Sequence, residues 1–485
     1  MFRKRFVFFV GLVLSIFSCS FLPPIIISKA TEDGQSLAFE LAFIVTLAIG
    51  LFMWLPSRRL DMEIKFRESF VMVTFIWFFI GLTGAIPFVE ILHLSLVDAV
   101  FETLSGLSTA GSTVLSGLDE MPKSLLFYRQ ELQWIGGMGI IVLVVAVLPL
   151  LNVGGMKLFK AETPGPMKDE KLSPRILHTA QYLWVIYLGL TIACSLSFYL
   201  AGMSLFDAVC HAMTAVSTGG FSTHDASIGY FDSFTIELLA SVFMLLGAIN
   251  FALHFSVLNK LSLEDYIHDE ETKTFIILVL ILVVITATTL FISGYSQTLS
   301  QSFRLAFFEV ITIITSTGYG IDDFSNWPTF LPAMLIFCSF LGGCSGSTAG
   351  GIKIVRIKIW LSEIGLQLYR LVHPKAIQNL RYNGQIVSND VLNSIRAFFT
   401  LYALTAAAYT LAMIATGLDF NSAFGAVAAC LNVLGPGLGK TASSFAEVSD
   451  TGKWLMSSAM IAGRLEIFTV IVLLSPSYWR ELQVA

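Results

Sequence analysis

Charged residues are scarce in this chain of 485 residues, since Asp, Glu, Lys and Arg together make up only 13% of it. An ordinary soluble domain carries about 25%. Apolar residues reach 55%, and the mean hydropathy is +0.77. This composition excludes a soluble enzyme and a disordered scaffold, and it is typical of a polytopic α-helical membrane protein surrounded by lipid. With a net charge of −5 there is no basic surface for a nucleic acid, so we expect no such partner.

The motifs of common metal and nucleotide sites are also missing. None of the six cysteines forms a C-x-x-C pair, and the seven histidines include no H-E-x-x-H pattern. The stretch G-P-G-L-G-K-T at 435–441 resembles a phosphate-binding loop, but Leu434 stands where that motif needs glycine. Neither paired carboxylates nor a Ser/His/Asp set converges. We therefore expect no enzyme activity, no bound cofactor and no resident metal.

Apolar segments long enough to cross a bilayer recur along the whole chain. They fall near 5–28, 37–56, 68–88, 127–151, 178–201, 234–258, 273–293, 329–341 with a continuation past 352, 396–416 and 454–475. Lys and Arg cluster in the connecting segments 57–67, 152–176 and 352–381, which the positive-inside rule places in the cytoplasm. We expect ten crossings with both termini cytoplasmic, and a first apolar run that is a retained helix rather than a signal peptide.

Four further apolar stretches are too short to span the membrane: 96–109, 205–218, 302–316 and 420–433. Aligned on Gly111, Gly220, Gly318 and Gly435, all four have alanine twelve residues earlier and a polar residue three residues earlier. This pattern predicts an all-α fold with four tandem units of helix, short re-entrant helix, glycine turn and helix, in a pseudo-fourfold arrangement, plus two extra N-terminal transmembrane helices. The predicted boundaries are 1–60 for the extra helices and 61–165, 166–265, 266–385 and 386–485 for the units.

The glycine turns point to an ion path. Non-helical backbone at membrane depth is tolerated where it lines water or is buried in protein. Four turns on one axis would aim backbone carbonyls and the C-terminal ends of four helix dipoles at a cation. The third turn reads T-S-T-G-Y-G, close to the T-V-G-Y-G of potassium channel filters. The alternative is a bundle with four re-entrant hairpins of no further function. The predicted potassium-binding filter consists of Ser108, Thr109, Ala110, Gly111, Ser217, Thr218, Gly219, Gly220, Thr315, Ser316, Thr317, Gly318, Asn432, Val433, Leu434 and Gly435.

Several longer motifs are specific enough to suggest a family. They are F-Y-R-Q at 127–130, Q-W-I-G-G-M-G at 133–139, G-G-F-S-T-H-D at 219–225, G-G-C-S-G-S-T at 342–348, L-G-P-G-L-G at 434–439 and G-R-L-E at 463–466. With them, nearly the whole chain resembles the TrkH-like branch of the Trk/Ktr/HKT superfamily. The resemblance implies a K+ pore in the bacterial inner membrane, usually a homodimer, regulated by a cytoplasmic ring of nucleotide-binding, TrkA-like subunits. Glycine in all four filters goes with potassium preference in this family, and serine in the first goes with sodium.

The glycine-rich loop at 342–351 has five glycines in ten residues and interrupts a helix, because each glycine costs about 1 kcal/mol of helix stability. The resemblance places a gate at this loop, with close helix packing through small residues as the alternative. The predicted gating residues are Gly343, Cys344, Gly346, Ser347, Thr348, Ala349, Gly350 and Gly351. Arg464, near the middle of the last apolar span, is predicted to be a positive barrier in the pore, or else an ion-pair partner of Glu466 or Glu102.

Two functional alternatives stay open: a less selective sodium/potassium pore, and a coupled potassium:proton symporter. Within the short helices, Glu102 and Glu309 either hold the backs of the glycine turns or only pack, and packing is favoured for His211. Three acids are predicted to cap the short helices: Asp98, Asp207 and Asp419.

Overall fold

A computed structural model describes residues 2–57, 66–139, 175–375 and 378–484 of the chain. Outside the described residues lie the basic segment 58–65, the last part of the predicted span 127–151 and nearly all of the predicted loop 152–176. The described elements are helices apart from one short hairpin, Arg381–Tyr382 with Gln385–Ile386, so the predicted all-α class is confirmed. Six of the described helices are long and apolar enough to cross a membrane.

The helices follow one another along the chain in three groups. The N-terminal part and first unit contain Phe2–Phe17, Leu22–Thr31, Ser36–Trp54, Phe66–Gly84, Ile86–Leu92, Leu96–Ser108 and Lys123–Gly137. The middle of the chain contains Arg175–Leu200, Leu205–Val216, Phe234–Ala248, Phe251–Lys260, Glu264–His268, Glu270–Ile292, Leu299–Ile314, Leu331–Ser339 and Ile354–Val372. The last part contains Asn389–Ala415, Phe420–Leu431, Asp450–Arg464, Ile467–Ile471 and Pro476–Val484.

Two predicted spans are sharply bent. The bent pairs are Phe234–Ala248 with Phe251–Lys260, at 100°, and Asp450–Arg464 with Ile467–Leu474, at 117°. The segments predicted to span at 234–258 and 454–475 are thus each made of two helices joined at a sharp bend. At the first bend, the freed carbonyl of Ala248 accepts the N–H of Cys344 at 2.8 Å, which satisfies a backbone group that the broken helix leaves open. The second bend lies at Glu466, whose φ is 57°.

Four short helices lie between the spanning ones: Leu96–Ser108, Leu205–Val216, Leu299–Ile314 and Phe420–Leu431. Each begins at a side chain that accepts the N–H of the residue three positions later, and these caps are Ser95, Ser204, Thr298 and Asp419. Of the three predicted caps, only Asp419 is therefore right. Asp98 and Asp207 lie in the first turn of their helices, where each bonds the hydroxyl of the capping serine. Their negative charge still favours the helix start.

Two hydrophobic cores surround the short helices. The first joins the N-terminal helices to the first and last units and includes Leu104 and Met460. The second joins the second and third units and includes Ile313. The fourth short helix enters both, with Cys430 in the first core and Ala428 in the second. Because protein interiors are close-packed, this arrangement holds the ends of all four short helices in one rigid body.

Candidate functional site

All four short helices end in the same kind of turn. Two residues before each aligned glycine, a residue other than glycine takes a positive φ: Thr109 (62°), Thr218 (50°), Ser316 (53°) and Val433 (60°). The next N–H then bonds a carbonyl five positions back, at 2.8 to 2.9 Å, as in a Schellman motif. A side chain is strained in this conformation, and a β-branched residue such as Val433 is an outlier there. The surrounding packing must therefore impose the turn.

The aligned glycines themselves close a ring. Their φ values lie between 76° and 103°, and a Cβ added to any of them would meet the carbonyl oxygen just before the next unit's glycine. These contacts run from Gly111 to Gly219, from Gly220 to Thr317, from Gly318 to Leu434 and, at 3.0 Å, from Gly435 to Ala110. The order is first, second, third and fourth unit, and back to the first. The four glycine turns, residues 108–111, 217–220, 315–318 and 432–435, thus surround one axis.

In three of the four units, a side chain nine residues before the glycine bonds the segment that follows the glycine turn. The bonded pairs are Glu102 with the Val114 N–H (3.0 Å), His211 with the Ser222 hydroxyl (2.9 Å) and Glu309 with the Ile321 N–H (2.9 Å). Glu102 and Glu309 therefore do more than pack, but they bond the segments that follow the turns and not the turns themselves. The prediction that His211 only packs is wrong. The fourth unit has Ala426 at this position, whose methyl group cannot make such a bond.

A buried arginine neutralises the first of these carboxylates. Arg129 donates from Nε and Nη2 to Glu102 Oε1 at 2.9 and 2.7 Å. Its guanidinium also lies 4.1 Å from the centre of the Phe221 ring and donates to the Ser222 carbonyl at 3.3 Å. The pair thereby ties the first turn to the segment that follows the second turn. The predicted pairing of Glu102 with Arg464 is wrong, because Arg129 takes that place.

Gln133 was not among the predicted site residues, although it bonds both sides of the second turn. Its Nε2 donates to the Gly219 carbonyl at 2.5 Å, and its Oε1 accepts the Phe221 N–H at 2.9 Å. A buried glutamine used on both its donor and acceptor sides fixes the direction of that carbonyl. Its spacing indicates only that Gln133 shares a helix face with Arg129, four residues earlier, and does not identify Gly219 as its partner.

The glycine-rich loop at 342–351 lies against the turns, at the ends of the short helices. The Thr348 hydroxyl donates to the Val216 carbonyl at 3.1 Å, and the Gly350 N–H donates to the Ser316 hydroxyl at 2.5 Å. A Cβ on Gly350 would collide with the carbonyl of Asn432. The loop therefore touches the second, third and fourth units, and position 350 has no room for a side chain.

Arg464 makes the corresponding contact with the first unit. Its Nη1 donates to the Thr348 carbonyl at 2.9 Å and to Thr109 Oγ1 at 3.4 Å. Its Nη2 donates to the carbonyls of Gly136 and Gly137, both at 2.6 Å. Arg464 is the last residue of its helix, beside the 117° bend, so its predicted place in the middle of a straight span is wrong. Its guanidinium links the glycine-rich loop to the first turn.

A cavity is lined in part by the glycine-rich loop, and none of the residues of the four glycine turns lines it. Its charged lining residues are Lys353, Arg356, Arg464 and Glu466. Glu466 pairs with Arg356 at 2.6 Å, so its predicted pairing with Arg464 is wrong as well. The Arg356 guanidinium also lies 4.0 Å from the centre of the Phe398 ring. Three cations against one acid make this cavity electropositive, which opposes the passage of a free cation.

A histidine in the segment that follows the second turn joins the first two units. His224 Nδ1 bonds Asp119 at 2.5 Å, and its Nε2 lies 3.5 Å from Asp207. The hydrogen bond from His224 lowers the pKa of Asp119 below its usual 3.8. Within the described ranges, no group of three or more His, Cys, Asp or Glu side chains is placed to hold a metal ion.

Comparison with known proteins gives consistent matches over the length of the chain. The sequence model of the TrkH family, described as cation transport protein, matches residues 35–481. The chain is 46% identical over 474 residues to the Trk system potassium uptake protein TrkH of Salmonella typhimurium, covering 97% of this chain and 98% of that protein. It is 39% identical over 473 residues to TrkG of Escherichia coli, covering 97% of each. The crystal structure of the potassium transporter TrkH from Vibrio parahaemolyticus superposes with a TM-score of 0.90 at 43% identity, over 99% of this chain and 100% of that one.

Proposed function

Since this chain belongs to the TrkH family of cation transport proteins, we propose that it moves potassium across the bacterial inner membrane through a gated, channel-like pore. K+ is the transported ion, and the electrochemical gradient drives it. The four glycine turns form the selectivity filter. The printed names of the relatives support potassium as the transported ion, and the contacts among the turns support the route.

One observation carries the route: the four glycine turns contact one another in cyclic order. A closed ring of backbone at the ends of four helices gathers four partial negative charges around one axis. Backbone carbonyls in such a ring can replace the water around a potassium ion. An ion path also explains why four short helices end at membrane depth, where exposed backbone would otherwise be costly.

The supports behind the turns favour a rigid filter. Glu102, His211, Glu309 and Gln133 all bond backbone or hydroxyl groups of the turns or of the segments that follow them. A filter discriminates between cations only if a smaller ion cannot change the spacing or the number of the carbonyls that coordinate it. Fixed carbonyl positions, with glycine at all four aligned positions, favour potassium over the less selective sodium/potassium pore.

The glycine-rich loop acts as the gate, and Arg464 acts as the barrier in the pore. The loop is bonded to the second and third turns, and Arg464 is bonded to both the loop and the first unit. Both the loop and Arg464 therefore contact the turns and also line the electropositive cavity. Close packing alone would not require a guanidinium to bind three backbone carbonyls beside an ion path.

The remaining predictions concern the assembly. The basic segments support an orientation with both termini in the cytoplasm. On that side, the chain is proposed to bind a nucleotide-binding, TrkA-like regulatory subunit and to work as a homodimer within the lipid. Units 61–165, 166–265, 266–385 and 386–485 form the pore, and 1–60 supplies two peripheral helices.

Cation uptake into liposomes tests the proposal. Purified wild type, Gly318→Ser and Gly189→Ser are compared for potassium, rubidium, sodium and lithium. Gly318 abuts the Leu434 carbonyl, whereas Gly189 has open space around its Cα in the helix Arg175–Leu200, which makes it a matched control. We expect potassium and rubidium to be preferred, and only Gly318→Ser to weaken the preference. Equal flux of all four cations, indifferent to Gly318, would reject the filter.

Two further outcomes would favour the alternatives, the first in the uptake experiment and the second in a measurement of the reversal potential. Comparable sodium and potassium flux that Gly318→Ser still changes would indicate the less selective pore. A reversal potential that shifts with an imposed pH gradient would indicate a coupled potassium:proton symporter, because an uncoupled pore responds only to the permeant ion.

A further inference from the structure

Lys353 directly follows the glycine-rich loop, and only 4% of it is exposed. Its ammonium donates a hydrogen bond to the carbonyl of Ala349 within the loop. The preceding carbonyl, that of Thr348, accepts from the guanidinium of Arg464 at 2.9 Å. Two consecutive carbonyls of the loop are thus each bound by a cation, and the two cations come from distant parts of the chain.

A tethered ammonium at this place has two effects on an ion path. A carbonyl that binds an ammonium is not free to coordinate a potassium ion that has shed its water. The positive charge of Lys353 also repels any cation that approaches, and this repulsion is strong because little water screens the site.

A second acceptor for Lys353 lines the same cavity. Glu466 uses its Oε2 to pair with Arg356 at 2.6 Å. Its Oε1 is buried and has no hydrogen-bond partner within the part of the chain that the structure describes. A buried carboxylate oxygen without a donor is unfavourable. Glu466 therefore has an open place for a cationic donor that the cavity already contains.

The backbone around Glu466 is suited to movement. Its φ of 57° and ψ of 134° lie in a sparsely populated region, at the 117° bend of the last spanning segment. Lys353 and Arg356 stand at the start of the helix Ile354–Val372, which leads away from the loop. A displacement of that helix would move both cations relative to Glu466.

We propose that Lys353 is a second gating residue: it holds the glycine-rich loop shut through the Ala349 carbonyl, and it releases the loop by transferring its ammonium to Glu466 Oε1. The transfer exchanges one hydrogen-bond partner for another, so no covalent bond changes. It frees a loop carbonyl and balances a positive charge with a negative one. The inference rests on the proposed function, because it requires the loop to be the gate.

Rubidium flux into liposomes tests the first half of the proposal. We expect Lys353→Met to raise the resting flux about tenfold or more, since it removes a charge-assisted hydrogen bond from the closed state. Lys353→Arg should restore low flux, which a merely structural role would not require. The matched control is Lys358→Met, because Lys358 lies on the same helix and pairs with Glu270 at 2.7 Å. Resting flux equal to wild type in a folded Lys353→Met protein would overturn the proposal.

A double-mutant cycle tests the transfer to Glu466. Glu466→Gln should lower the resting rubidium flux of the wild-type protein, because it removes the acceptor that competes for the Lys353 ammonium, and it should have no further effect in the Lys353→Met background. Equal effects in both backgrounds would overturn the transfer. If Glu466→Gln does not fold, Glu466→Asp keeps the charge but shortens its reach by one methylene, and the same loss of effect with Lys353→Met is expected.

Arg464→Ala, measured in the same vesicles, separates this inference from the proposed function. If Arg464→Ala conducts rubidium while Lys353→Met matches wild type, only the role of Lys353 fails. If neither wild type nor Arg464→Ala carries rubidium, the proposed function fails, and the inference fails with it.

Discussion

Glu102 and Arg129 form an ion pair in which neither side chain is more than 1% exposed, with Nη2 and Oε1 2.7 Å apart. The Glu102 carboxylate also accepts the Thr113 hydroxyl at 2.9 Å. The pair is thus part of the support behind the first turn. A carboxylate buried this deeply is tolerable only with a charged partner and bonds to its oxygens.

Removing one partner of this pair should therefore be strongly destabilising. We expect Arg129→Met to cost about 3–5 kcal/mol, because it leaves the Glu102 charge buried and unpaired. Thermal unfolding in detergent measures the loss. The control is Glu40→Gln, which breaks the exposed pair Lys29–Glu40 and should cost less than about 1 kcal/mol. Equal losses for the two variants would show that burial of the Glu102–Arg129 pair does not matter.

Glu309 should act through its acceptor oxygen rather than its charge. Its Oε1 accepts the N–H groups of Ile321 and Asp322 at 2.9 and 3.3 Å, and a glutamine carbonyl can accept both. We expect Glu309→Gln to keep the preference of rubidium over sodium. Glu309→Ala should lose it, since each buried N–H left unbonded costs about 1–3 kcal/mol. The measurement is the ratio of rubidium flux to sodium flux in each variant. If Glu309→Gln lowers this ratio as much as Glu309→Ala does, the proposed role of the acceptor oxygen is contradicted.

Replacing Arg464 should open the route. Arg464→Ala removes the guanidinium that bonds the Thr348 carbonyl and its positive charge beside the ring. We expect potassium flux about tenfold or more above wild type, because a hydrogen bond from a charged group contributes about 1.5–3 kcal/mol. Arg396→Ala is the matched control, since Arg396 pairs with Glu363 away from the cavity. Unchanged flux in a folded Arg464→Ala protein would remove Arg464 from the barrier.

The contact between Asp119 and His224 should make stability depend on acid. The pKa of Asp119 is lowered in the folded chain, so its ionised form stabilises the fold above the usual value of 3.8, and this contribution is lost as the pH falls through the lowered pKa. Asp119→Asn should therefore lower the melting temperature at neutral pH, with the difference shrinking in acid.

The effect of Asp119→Asn should be small, because the side chain is 44% exposed and solvent screens it. Glu120→Gln, a neutralisation at the adjacent exposed acid, is the control and should leave the melting temperature unchanged at both pH values. A difference between wild type and Asp119→Asn that stays constant down to about pH 3 would contradict the role of His224.

The repeat and its glycine positions could be predicted from the sequence. Each aligned glycine contacts a backbone carbonyl and has little or no room for a side chain, so all four units carry glycine at the same position. The bends could not be predicted. After Glu466 the chain stays almost entirely apolar to Leu474, and the bend coincides with an ion pair to Arg356, 110 residues away in the sequence. The role of Gln133 depends on Gly219 in another unit in the same way. Local composition carries no signal for such contacts.

The helix caps illustrate a different limit. A serine and an aspartate three residues apart fit the start of a short helix in two ways, and only the backbone decides which one caps it. Ser95 and Ser204 take that place, and Asp98 and Asp207 follow in the first turn. The positions of all four short helices were nevertheless predictable, since their apolar runs are too short to cross the bilayer.

The closed ring is encoded in one polypeptide rather than assembled from four identical ones. In a homotetrameric channel, one codon change alters the filter segment of all four subunits at once. In this chain the glycine turn of each unit can be altered alone. Serine at one, two, three or all four of the aligned glycines would therefore give a graded series of variants of the ring. The aligned glycines are Gly111, Gly220, Gly318 and Gly435. The four units are also unequal, since the fourth carries Ala426 at the position where the other three carry a polar side chain. If the proposed filter sets ion preference, that preference can be changed one unit at a time, and the four units need not contribute equally.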